Sequence, residues 1–325
     1  MAEFDLIQAI RTRAGDGAGV VLGIGDDAAV LQPPPGQQLV VTADTLNAGV
    51  HFPAGARAAD IGWKALAVNL SDLASMGARP AWCTLSLSLP QADPAWLEGF
   101  LDGFLELARD HGIALVGGDT TRGPLSIAVT AMGLVQAGTA LRRDAARVGD
   151  EVWVSGSLGD AAAALVLGGH VPAPGGVVPV ATPADRAALE ARLHRPTPRV
   201  AAGHVLRSLA HACVDVSDGL LADLGHVCAR SGVGAELELA RLPASPALAR
   251  VFGEDATALQ ASGGDDYELC FTAAPEAAAA IVQALDALGV AATRIGRIVA
   301  GAGVRALDAQ RRPWQPARAG YVHFD

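Results

Sequence analysis

AADIGWKALAVNLSDLASM, residues 58–76, is followed after four residues by AWCTLSLSL, residues 81–89. In the first stretch Leu66, Leu70, Leu73 and Met76 fall on one stripe, which predicts a helix over Ala58–Met76. In the second, Leu85, Leu87 and Leu89 alternate with Thr84, Ser86 and Ser88, as in a strand buried on one face. A helix leading into a half-buried strand is the unit of a layered α/β domain. Outward from it the same alternation continues. Leu39–Ala43 reads as a strand, and Asp93-Pro94 offers an N-cap with proline at the first helical position. Leu97, Leu101, Phe104, Leu105 and Ala108 carry that helix forward. Ile113–Val116 reads as a short strand ending in Gly117-Gly118-Asp119, and Leu125–Val135 as another strand.

The segment 138–150 breaks the apolar pattern with Arg142, Arg143, Asp144 and Arg147, which predicts a junction between domains 1–141 and 142–325. A second alternation follows. Strands are expected over 151–155, 213–216, 268–272 and 294–299, and helices over 158–167, 218–230 and 275–288. Residues 171–183, rich in proline and glycine, are expected to be a surface loop. The fold class is therefore α/β, of the α+β type, in two domains.

At 325 residues and 51% hydrophobic composition the chain can bury two cores, and a net charge of −10 argues against nucleic acid or anionic membrane as a partner. Counting the acids separately gives 24 Asp and 10 Glu, a skew toward the residue of caps, turns and metal sites. The chain has one lysine, Lys64, and its context is not that of a phosphate-binding Walker loop. Cys83, Cys213, Cys228 and Cys270 are spread without metal-ligand spacing, which predicts free buried thiols in a reducing cytoplasm. The N-terminal stretch lacks the apolar core of a secretory signal, and no apolar run reaches the ~18 residues of a membrane span.

The aspartates gather beside glycines and at the ends of predicted strands: Asp26-Asp27, Asp44, Gly118-Asp119, Asp215 with Asp218-Gly219, and Gly264-Asp265-Asp266. One such cluster alone is ordinary turn or cap chemistry, and Asp218 sits where an N-cap belongs. Five together would repel one another unless divalent cations neutralised them. Hard oxygen ligands select magnesium, manganese or calcium, and the neighbouring glycines would let backbone N–H groups approach phosphate. Asp72 differs in lying inside a helix, at the edge of its apolar stripe. The residues thus point to a magnesium-dependent nucleotide or phosphate enzyme.

The order Gly23-Ile24-Gly25-Asp26-Asp27-Ala28, Asp44-Thr45-Leu46 with His51-Phe52, Asn69-Leu70-Ser71-Asp72-Leu73, Gly117-Gly118-Asp119-Thr120-Thr121-Arg122-Gly123, Asp215-Val216-Ser217-Asp218-Gly219-Leu220 and Gly263-Gly264-Asp265-Asp266-Tyr267-Glu268-Leu269 strongly resembles the thiamine-monophosphate kinases. The resemblance runs to Gly320-Tyr321 and implies ATP-dependent phosphorylation of thiamine monophosphate to the diphosphate. It also implies an N-terminal domain that pairs with its twin into a dimeric β-barrel, and a C-terminal domain over the active-site cleft. By the same resemblance Asp27, Thr42, Asp44, Asp72, Asp119, Asp215 and Asp218 are magnesium ligands, and Ala43 offers its backbone carbonyl. Gly118, Asp119, Arg143 and Ser217 correspond to ATP contacts, and His51, Asp265 and Tyr321 to substrate contacts. Asp72, Asp119 and Arg143 are the candidates for catalysis. The position of Asp265 typically holds glutamate in the family, so this chain reaches with a shorter arm.

Two relatives within the broader superfamily are weighed against this. Selenophosphate synthetase is disfavoured because no cysteine precedes Cys83, and an aminoimidazole ribonucleotide synthetase should lack the His51 loop and the terminal Gly320-Tyr321. A homologue that binds metal and nucleotide without turnover is the non-enzymatic alternative.

Overall fold

The computed structural model describes residues 3–15, 17–316 and 320–321. The chain divides into two compact units, Met1–Leu73 with Ala78–Ala140, and Ala74–Gly77 with Leu141–Asp325.

The first unit contains, in order, α1 (Glu3–Ala14), β1 (Val20–Leu22), β2 (Val30–Leu31), β3 (Gln37–Asn47), α2 (Ala58–Ser75), β4 (Arg79–Leu89), α3 (Pro94–His111), β5 (Ala114–Arg122) and β6 (Ser126–Gln136). Its main sheet runs β3-β6-β4-β5, with β4/β5 parallel and the other pairs antiparallel. Asp93 caps α3 as its sequence requires: the carboxylate accepts from the Trp96 amide at 3.1 Å, and Pro94 opens the helix. Leu66, Leu70 and Leu73 are fully buried. Helices α2 and α3 approach closely because each supplies a glycine, since a Cβ at Gly62 would overlap the Phe100 carbonyl and one at Gly103 that of Ala59.

Two strands are longer than their apolar runs suggested. β3 continues through Asn47 and β5 through Arg122, so Asp44 and Asp119 lie within strands rather than in loops beyond them. Backbone pairing carries both extensions, an 11-residue ladder between β3 and β6 and a parallel one between β4 and β5, which tolerate polar side chains on the less buried face.

The second unit contains β7 (Glu151–Ser155), α4 (Asp160–Leu167), α5 (Pro183–His194), α6 (Val200–Leu206), β8 (Ala212–Asp215), α7 (Leu220–Ser231), β9 (Gly234–Glu238), α8 (Pro246–Phe252), α9 (Ala256–Ser262), β10 (Leu269–Ala273), α10 (Ala278–Asp286), β11 (Ala292–Val299), β12 (Gly303–Leu307) and β13 (Pro313–Trp314). The seven-stranded sheet runs β13-β12-β9-β11-β7-β10-β8, and only the β12/β9 pair is parallel. Val152, Val154, Val214, Leu220, Leu224, Leu237 and Ile295 fill the core between this sheet and α7. Residues between α4 and α5 form an open loop in which Val180 is 98% exposed. The four cysteines are buried and free. Among the described residues no helix is long and apolar enough to cross a membrane.

Candidate active site

In the first unit, α2 brings Asp72 against β3, where the Thr42 hydroxyl donates to its carboxylate. Asp72 and Asp44 are half-buried, whereas Asp27, Ala43, Gly118 and Asp119 are exposed. Strand register relates the others. Asp44 pairs with Val129, Val129 with Leu85, and Leu85 with Gly118, so Asp44 and the Gly118-Asp119 step share one rung across three strand spacings. That is about 14 Å along a flat sheet. Gly118 has φ 151°, and a Cβ there would overlap the Leu85 carbonyl oxygen, so the close β4/β5 approach beside Asp119 requires glycine.

His51 lies in the turn between β3 and α2. Its Nδ1 accepts from the Asn47 amide at 3.0 Å, which places the proton of the neutral ring on Nε2. The buried Lys64 ammonium donates to the His51 carbonyl at 3.1 Å, tying this turn to α2. The single lysine therefore positions a loop.

In the second unit three segments are bonded into one platform. The Asp265 amide donates to the Ser217 carbonyl at 2.9 Å, the Tyr267 amide to the Val216 carbonyl at 2.8 Å, and the Tyr321 amide to the Asp218 carbonyl at 2.9 Å. Ser217, Asp218, Asp265 and Tyr321 are thus assembled from three stretches far apart in sequence. Asp265 (φ 68°) and Tyr267 (φ 51°) are left-handed residues without being glycine, and the Tyr267 hydroxyl donates to Asp265 Oδ1 at 2.9 Å. Asp215, at the end of β8, is buried. Arg143 is exposed and, among the described residues, makes no ion pair, whereas the adjacent Arg142 is held bidentately by Asp144. The Arg143 carbonyl accepts from the Ser231 hydroxyl at 2.9 Å, fixing the backbone from which its side chain extends.

Behind the platform stand three buried carboxylates. Asp223 Oδ2 accepts from the amides of Ser217, Asp218 and Gly219, each at 3.1 Å. Burial, reinforced by the charge of Asp218, nevertheless pushes its carboxyl up to about 7. Asp266 accepts from the Gly159 amide with both oxygens, at 3.0 and 2.9 Å, and burial raises its pKa well above the carboxylate range. Glu268, fully buried, receives Arg199 through two bonds at 2.7 and 2.6 Å, Arg192 at 2.7 Å and the Ser155 hydroxyl at 2.6 Å.

Two expectations are corrected here. Asp218 is not the N-cap of α7. That position belongs to Gly219, which makes no side-chain cap bond, and the capping oxygen comes from Asp223 inside the helix. Of the glycine amides expected to approach phosphate, that of Gly219 is turned inward onto Asp223 together with those of Ser217 and Asp218, because α7 opens at a buried end whose donors must be satisfied; the Gly159 amide at the start of α4 is bonded to Asp266 for the same reason.

Residues 25–135 match the family model of the AIR synthase related protein N-terminal domain, and residues 147–308 that of the corresponding C-terminal domain. The thiamine-monophosphate kinase of Escherichia coli (strain K12) is 46% identical over 306 residues, 94% of this chain and 92% of its own length. The chain belongs to the thiamine-monophosphate kinase family. The crystal structure of thiamine-monophosphate kinase from Stenotrophomonas maltophilia K279a is 59% identical and superposes with a TM-score of 0.85, covering 94% of this chain and 96% of that one. AaThiL complexed with AMPPCP and TMP is 32% identical, with a TM-score of 0.77 over 99% of this chain and 97% of that one.

Tyr267 and Glu268, inside the last quoted motif, and Asp223, three residues beyond the Asp215–Leu220 motif, were passed over as site-supporting residues. Asp223 carried a readable signal, an acid in the first turn of a helix whose cap residue is glycine. The Arg192 and Arg199 partners of Glu268 carried none, being 76 and 69 residues distant.

Proposed function

We propose that the chain transfers the γ-phosphoryl group of ATP to the phosphate of thiamine monophosphate, releasing ADP and thiamine diphosphate. The observation that carries this reading is 46% identity over 94% of the chain to a thiamine-monophosphate kinase. The complex of AaThiL with AMPPCP and TMP supports the same pair of substrates. In the reaction an oxygen of the acceptor phosphate forms the new bond to the γ-phosphorus as the bond to the β–γ bridging oxygen breaks in line. That acceptor oxygen is already ionised near neutral pH, so no strong base is needed, and alignment with charge stabilisation supplies the catalysis.

Gly118, Asp119, Arg143 and Ser217 are assigned to the nucleotide, and His51, Asp265 and Tyr321 to thiamine monophosphate. The exposure of the Arg143 guanidinium, without an internal acid, suits a phosphate partner. Asp27, Thr42, Asp44, Asp72, Asp119, Asp215 and Asp218, with the Ala43 carbonyl, are assigned to magnesium, which when bound neutralises phosphate charge. Among the described residues no three His, Cys, Asp or Glu side chains form a cage of their own. This donor set fits ions that arrive with nucleotide, because magnesium takes only one or two protein carboxylates and fills its octahedron with water and phosphate. The family resemblance further supports a homodimer closed through the first unit, in the cytoplasm, with neither nucleic acid nor membrane as partner.

Phosphorus NMR of protein with ATP, magnesium and thiamine monophosphate tests the reading: diphosphate resonances of the product are expected. Turnover of formylglycinamidine ribonucleotide with none of thiamine monophosphate would instead indicate an aminoimidazole ribonucleotide synthetase, and ATP binding without any product a silent homologue. Asp72→Asn is expected to lower kcat by roughly a hundredfold, the scale of one lost charge-stabilising contact, while circular dichroism and Tm stay near wild type. Near-normal turnover of the folded variant would remove Asp72 from the machinery.

A further inference from the structure

The segment Ser217–Gly219 has its donors and acceptors sorted to opposite sides. Its three amides converge on one oxygen of Asp223, while the Ser217 and Asp218 carbonyls receive the amides of Asp265 and Tyr321. Asp223 is 3% exposed, so bulk water does not reach these amides while its carboxyl is in place, and Gly219 lacks the side chain that would otherwise cap α7. Removing that oxygen would leave three donors unsatisfied at once, and the peptide planes of residues 217–219 would be held from their carbonyl side alone.

We infer that Asp223 is a positioning residue: its side-chain oxygen acts as a built-in acceptor that sets the peptide orientation of residues 217–219 and so aims Ser217 at the nucleotide and Asp218 at its magnesium. This rests on the assignments of Ser217 to ATP and Asp218 to magnesium made above. The same geometry assigns the nucleotide's phosphates to side chains and cations, because these amides are already spent on Asp223.

The test is ATP affinity by isothermal titration calorimetry on the full chain without thiamine monophosphate, for wild type, Asp223→Asn and Asp223→Ala. Loss of the buried acceptor in Asp223→Ala should weaken binding by about tenfold or more, whereas Asp223→Asn, which keeps an acceptor oxygen, stays within about threefold. Formate, small enough to enter the vacated space and offering the same oxygens, should restore much of the Asp223→Ala affinity, and chloride should not. Wild-type affinity in Asp223→Ala overturns the inference, as does a folded Asp223→Asn that binds as poorly as Asp223→Ala or no response to formate. If Asp223→Ala does not fold, Asp223→Asn decides: near-wild-type affinity supports the inference and a tenfold loss overturns it. Failure of the kinase reading shows separately, as wild-type protein that binds ATP but yields no thiamine diphosphate.

Discussion

Asp265 and Asp266 are adjacent in the chain and opposite in environment. Asp265 is half-buried on the platform and engaged by Tyr267, whereas Asp266 points inward to an amide 107 residues away. A sequence can mark both as acids beside glycine, but which one turns inward depends on left-handed backbone at 265 and on the distant Gly159, neither of which is local information. The difference has a pH signature. Burial raises the Asp266 pKa, with Asp160 and Glu268 adding to the rise and the Gly159 amide and Arg192 opposing it. The folded state therefore holds a proton that the unfolded chain releases near pH 4, and this contribution to stability is lost as pH rises from there toward the raised value. Asp266→Asn removes that titration while keeping an acceptor for Gly159. Urea unfolding at pH 5, 6 and 7 should show a flatter decline in this variant than in wild type, and an equal or steeper decline would contradict the assignment.

At the scale of elements, those with strong local signals were legible. α2, α3, β4 and β7 were readable because period, cap and alternation agree within one window. Helices α6, α8 and α9 were not, since seven residues make only two turns, too few for a period to register. Nor could apolar runs reveal how far β3 and β5 extend, because pairing partners decide that. The α2/α3 crossing shows what close approach demands of its residues. Gly103→Ala would gain helix propensity of about 1 kcal/mol but force a methyl group into the Ala59 carbonyl. Overpacking of this kind typically costs about 1–3 kcal/mol, so the net effect is destabilising. Differential scanning calorimetry should find a Tm lower by a few degrees, and a Tm at or above wild type would show that the helices can separate without cost.

For the whole molecule, chain length and the alternation of helical and strand patterns pointed to two units of mixed α/β architecture, while the strand order of the second unit was not encoded in its alternation. Strands alternating with helices, as expected between 151 and 299, would suit parallel crossovers, yet long-range pairing makes all but one contact in the sheet antiparallel. The first unit's sheet ends on β3, an 11-residue edge strand with Leu39 46% and Val41 56% exposed. A long apolar edge invites pairing with another chain, in keeping with the proposed homodimer. Light scattering at micromolar concentration should give twice the chain mass, and Val41→Asp should shift the protein toward monomer. A monomeric wild type would refute the twin-barrel arrangement.

The burial of Lys64 and of all four cysteines leaves the folded surface without the usual handles for bioconjugation. Succinimidyl esters find no exposed lysine and maleimides no exposed thiol, so a fluorophore must be brought in on an engineered residue. Val180 is the natural place for one, being open to solvent while its neighbour Ala181 packs against the core and holds the loop in place. A cysteine placed there would be a single reactive thiol on an otherwise inert surface, giving stoichiometric labelling without a cysteine-free background.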